Sequence, residues 1–167
     1  MIDPCAPAPG DEVFLFAFRR LLLVLHGAGS IVLVGAATHH ALSMRHYLRG
    51  RFERVKQEQR WATVVAVSYA LTFALGALLY PSYRVHVRGY YLDRYAPGYA
   101  ALFDVKEVYA SLALVVALGL GLLARRFEPA KQRPLVRVYA AMSLLVCAVV
   151  WLDVIAGMLV LSVRGLG

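Results

Sequence analysis

Four stretches of this chain, near residues 19–40, 61–80, 105–124 and 136–163, are almost continuously apolar. Each is long enough to cross a hydrocarbon layer of about 30 Å, which takes about 20 helical residues. The runs do not alternate as half-buried strands do, and an open sheet edge has no hydrogen-bond partner in lipid, so helices are the form they can take there. Composition agrees. Of 167 residues 60% are hydrophobic, where soluble domains carry roughly 45–50%, and the mean hydropathy is +0.62. The predicted fold class is all-α, a four-helix transmembrane bundle.

A net charge of +8 would point to nucleic acid on a soluble surface, but here its position matters more than its size. Segment 41–60 holds Arg45, Arg49, Arg51, Arg54, Lys56 and Arg60, and segment 125–137 holds Arg125, Arg126, Lys131, Arg133 and Arg137. With Glu53, Glu58 and Glu128 these two segments account for the whole +8, and the rest of the chain is neutral. Lys and Arg near the membrane ends of short loops mark the cytoplasmic side. The two basic loops are therefore expected inside, and the N-terminus, the 81–104 loop and the C-terminus outside. This describes a multi-pass protein of the cell (inner) membrane whose cations meet lipid headgroups. No nucleic-acid role is expected.

The opening MIDPCAPAPGDE is Pro-rich and acidic, without the basic n-region of a cleavable signal peptide, so residues 1–12 read as a flexible tail. Residues 13–167 form one integral membrane domain. EVFLFAFRR suits the outer interface, with Arg19 and Arg20 snorkelling. Gly50 is the expected break after the first helix, and Pro81 is expected to stop the second at Tyr80. The 81–104 loop, with its neighbours, carries Tyr80, Tyr83, Tyr90, Tyr91, Tyr95, Tyr99 and Tyr109, interleaved with Arg84, Arg88 and Arg94. It reads as an aromatic belt at the surface, or as a lid over an outward-facing pocket. Cys5 and Cys147 are too far apart in character to suggest a disulfide or a metal pair. No internal repeat, phosphate loop, CxxC, HExxH or GxSxG occurs.

The informative residues are the polar ones inside the apolar blocks. An aspartate at mid-helix costs about 2.5–3.5 kcal/mol on insertion scales, and such groups usually face the bundle interior and pair. Antiparallel threading puts His26, Asp153 and Glu107 at similar depth in the outer half, with Asp104 just before Glu107. A His26–Asp153 hydrogen bond is the economical pairing. It could simply hold helices in register, although such bonds average only about 0.6 kcal/mol in membranes.

His26 and His40 lie fourteen residues apart, which puts them within about 40° of each other and about 21 Å apart along a helix. Gly29, Ser30, Leu33, Ala36 and Ala37 share that face, all small except the leucine, which could pack against a ring edge. A histidine beside small residues offers iron a nitrogen and lets a flat macrocycle approach. This spacing resembles the two-haem arrangement of the cytochrome b bundle, a likeness confined to one helix and two residues. It implies ligands opposite each histidine, and the later helices contain no histidine. Met158 or His86 would have to complete a haem b site at His26, and Met142 or another subunit one at His40. His39, His40 and His46 also cluster at the inner end, a weak pattern for zinc or copper.

Three functions fit. The first is a non-catalytic subunit or accessory component of a larger membrane complex, in keeping with short loops and no catalytic constellation. The second is an electron-transfer module binding haem b or quinone through His26, with Asp153 and Glu107 as outer-side proton partners. The third is a proton-coupled transporter or channel. That one needs a homo-oligomer, because four helices rarely enclose a path.

Overall fold

The structure, a computed structural model, describes residues 13–164. The tail expected at 1–12, with Cys5, lies outside the described residues. Among these the chain is helical, with no strand. Helix α1 spans Arg19–Leu48 and α2 spans Val55–Ser82. A π-helix at Tyr83–Leu92 and one α-turn at Asp93–Tyr95 follow, then α3 at Pro97–Arg126 and α4 at Arg133–Val163. Four helical stretches, Phe16–Leu48, Val55–Tyr95, Pro97–Arg126 and Arg133–Val163, are long and apolar enough to cross a membrane.

Consecutive helices pack on each other and α1 closes on α4, so the bundle is a ring of neighbours with no substantial diagonal contact. One end carries the loops after α1 and α3, here the basic end. The other carries the π-helix, here the π end. Three buried clusters fill the axis. Met44, Tyr47, Phe127 and Tyr139 sit at the basic end, Leu33, Tyr69, Ala117 and Val146 in the middle, and Tyr83, Val87 and Leu92 at the π end. The outer faces remain apolar, with Ile31 76% and Val115 69% exposed. Apolar surface on that scale calls for a hydrophobic surround.

Local chemistry explains most boundaries. Gly50, at φ 73°, takes the left-handed position after α1 that only glycine adopts cheaply. Pro134 sits in the first turn of α4 and Pro97 opens α3, where a missing N–H costs nothing. Pro81 departs from expectation. It lies inside α2, and the chain stays helical to Tyr95. Most of the segment expected as a Tyr-rich loop at 81–104 is therefore helix, interrupted only at Ala96 (φ −148°, ψ 56°). The wider winding after Pro81 bonds each N–H five residues back, one way a helix continues past a disturbed ladder. Aromatic packing holds it, with Tyr83 stacked on Phe103 at 3.8 Å between centroids.

Small residues set the helix spacing. A Cβ at Gly121 of α3 would lie 2.7 Å from the Ala66 Cβ of α2. Gly121→Val should therefore push α2 and α3 apart and cost about 1–3 kcal/mol, the usual penalty of overpacking. Thermal unfolding in detergent checks this, with Gly35→Val as the control, because nothing lies within 4 Å of that position.

Candidate functional site

Between the middle cluster and the π end the four helices part around a cavity of about 610 Å3, within the range of small-molecule sites. Its walls are mostly apolar, and His26, Tyr69, Lys106, Glu107 and Asp153 supply the main polar groups.

His26 reaches from α1 to α2, where its Nδ1 lies 3.0 Å from the Thr72 carbonyl oxygen. A carbonyl only accepts, so Nδ1 carries the proton and donates. In the neutral ring Nε2 is then an acceptor. Among the described residues Nε2 has no hydrogen-bond partner. Glycines permit this geometry. A Cβ at Gly76 would come within 3.2 Å of His26 Cε1, and one at Gly29 within 2.8 Å of Thr72 Oγ1. Gly76→Ala should therefore tilt the imidazole away from Thr72 and weaken any ligand held by Nε2 about three- to tenfold, roughly one hydrogen bond. A binding titration checks this.

The direct His26–Asp153 hydrogen bond expected from the sequence is not formed. Both residues line the cavity, but α1 packs so closely on α2 that a backbone carbonyl takes the imidazole N–H. Asp153 of α4 keeps its Oδ1 buried without a hydrogen-bond partner. Tyr69 stands beside that carboxyl, yet its hydroxyl donates to the Ala110 carbonyl at 3.1 Å. One hydroxyl proton serves one acceptor at a time.

Glu107 also lines the cavity, with its Oε1 3.6 Å from Lys106 Nζ. Lys106 also lines the cavity, a site residue not singled out from the sequence. Its stem passes Gly157, where a Cβ would lie 3.8 Å from Lys106 Cε. The small residue opposite is the signal that could have found it. Asp104, grouped with these residues from sequence, instead receives both Arg88 guanidinium nitrogens and stays off the cavity wall. An arginine on the π-helix reaches it first.

The candidate haem ligands separate. His26 and Met158 both line the cavity. His86 does not fold over His26, because the π-helix buries it against Phe16 at 4.2 Å between ring centroids. His40 lies towards the basic end with both nitrogens engaged, 2.7 Å from Ser143 Oγ and 3.2 Å from Tyr139 Oη of α4. The His39 ring lies tilted against Trp61 at 4.5 Å between centroids, and His46 faces a different cavity. These three histidines therefore diverge. Among the described residues no three His, Cys, Asp or Glu side chains converge to hold a metal ion.

Comparison of the chain with protein-family models, with curated proteins and with solved structures returns no match in any of the three.

Proposed function

We propose that this chain is a non-catalytic subunit of a membrane assembly and that its cavity binds a lipid-soluble quinol. One observation carries the reading. Among the described residues two hydrogen-bond acceptors, His26 Nε2 and the buried Asp153 Oδ1, lack a protein donor, and both residues line one apolar-walled cavity. Unanswered buried acceptors are costly. A ligand with two hydroxyl donors on a flat apolar ring answers both. The lining residues Ile31 and Met158, 76% and 67% exposed, lie on the bundle's outer surface, which supports entry from the lipid side. Electrons leaving such a ligand would need a redox partner in another subunit.

The protein sits in this reading as a multi-pass protein of the inner membrane. The basic loops lie on the cytoplasmic side, as the positive-inside rule orients them, and the π end and cavity face outward. The middle cluster of Leu33, Tyr69, Ala117 and Val146 lies between the cavity and the basic end. That packing favours binding over transport.

Haem b is the second reading. Metal-bound histidines commonly donate their other nitrogen to a carbonyl, as His26 does to Thr72. Met158 is the second ligand within the same wall. Against it, two carboxylates share the cavity with a single lysine, a poor setting for anionic propionates. The experiment is a titration of the full chain in lipid nanodiscs with decylubiquinol, together with a reduced-minus-oxidised visible spectrum. Saturable binding with a flat spectrum is expected. A b-type band would replace quinol by haem, and neither binding nor a band would remove both readings.

A further inference from the structure

At the basic end a second cavity, of about 320 Å3, is lined by His46, Tyr47, Arg51, Glu53, Arg54 and Glu58. The last turn of α1, the 49–54 turn and the start of α2 build it. Gly50 reverses the chain there, which brings Arg51 and Arg54 to the wall formed by His46 and Tyr47.

Glu58 is the unusual member. It is only 6% exposed, although its neighbours in the turn are open, and its Oε2 is buried with no hydrogen-bond partner. His39, His46 and Arg54 are near enough to act on it through charge, and Ser43 of α1 lies beside it. None of them closes on Oε2. The carboxylate is held in place, but its Oε2 is left without a donor.

The charges restrict what can answer it. A simple cation meets Arg51, Arg54 and His46. A simple anion meets Glu53 and Glu58 and leaves Oε2 as it was. A ligand carrying both charges a few ångströms apart fits both halves of the wall. It must also have an N–H to give, which a quaternary ammonium lacks. Arginines hold phosphate oxygens through paired N–H groups.

We propose that this cavity binds a phosphate ester bearing a primary ammonium, the chemistry of a phosphatidylethanolamine head group. Glu58 Oε2 accepts from the ammonium, and Arg51 and Arg54 hold the phosphate. Leu42 and Leu48, 58% and 55% exposed on the same stretch of α1, offer acyl chains an apolar surface. The site is remote from the quinol cavity and does not depend on that reading.

Native mass spectrometry of the full chain in detergent tests it, with equimolar phosphatidylethanolamine, phosphatidylcholine and phosphatidylglycerol of one acyl composition. The ethanolamine lipid should be retained at least about tenfold over the other two, and Glu58→Gln should reduce that preference to about twofold or less. Arg54→Gln should weaken ethanolamine and glycerol lipids alike. Should Glu58→Gln fail to fold, calorimetry on the unmodified chain decides instead, with free phosphoethanolamine against phosphocholine. Binding of free phosphoethanolamine as tight as that of a short-chain ethanolamine lipid would identify a soluble ligand. Binding of the lipid alone would identify the bilayer as the source. Equal retention of the three lipids, with phosphoethanolamine no better than phosphocholine, would overturn the proposal.

Discussion

Decylubiquinol binds His26→Leu about 10- to 100-fold more weakly than the unmodified chain, with little change in folding. Leucine removes the Nε2 acceptor and leaves a ligand hydroxyl unpaired in an apolar cavity, a loss of about 1–3 kcal/mol. By the tenfold-per-1.4 kcal/mol rule that loss is about 5- to 140-fold, which brackets the expected range. Folding should hardly change, because the bond given up, His26 to the Thr72 carbonyl, is a single interhelical one, of a kind that averages about 0.6 kcal/mol in membranes. Asp153→Leu should weaken binding to a similar degree, and Asp153→Asn by only about three- to tenfold, because the amide keeps one acceptor oxygen. The double variant should lose less than the sum of the two singles, because both groups act on one molecule. Unchanged affinity in both single variants would contradict the proposed function, whatever the spectrum shows.

The second large effect falls on stability and not on the ligand. His40→Ala should destabilise the fold by about 2–5 kcal/mol, the range for emptying a large buried position, with orphaned hydroxyls adding to it. His40 is 1% exposed and packs edge-on against Tyr139 at 5.6 Å between centroids. Its loss leaves Ser143 Oγ and Tyr139 Oη without the acceptor and donor that the ring now provides. Thermal unfolding should therefore shift strongly while quinol affinity, read where the variant remains folded, stays within about twofold. A stable variant that has lost its ligand would mean that His40, not His26, governs binding. His26 and His40 look equivalent on a helical wheel, and these two experiments separate them by consequence.

Much of the architecture is legible in the chain because transfer from water to an apolar phase is nearly additive over residues. The four spans and the break at Gly50 follow from local properties. Depth is also local. Counting along antiparallel helices puts His26, Glu107, Asp153 and Met158 at one level, and all four line the first cavity. Pro81 shows where local rules end. Its ring disturbs the ladder, but stacking of Tyr83 on Phe103, twenty residues on, keeps the chain helical where a turn was expected.

Partners were decided by the tertiary structure alone. One face of α1 carries both His26 and His40, yet the first bonds α2, 46 residues away, and the second bonds α4, 103 and 99 residues away. No periodicity distinguishes them, because a helix crossing two neighbours presents one stripe to a different helix at each end. Likewise nothing near Glu58 in the sequence announces that its Oε2 is buried without a donor. By itself the sequence determined how many membrane-length helices there are and which polar residues share a depth, since those follow from per-residue free energies; how far the second and third helices run did not follow from it. Which acceptors were left unanswered depended on approaches of a few ångströms between distant glycines and side chains, and only packing sets those.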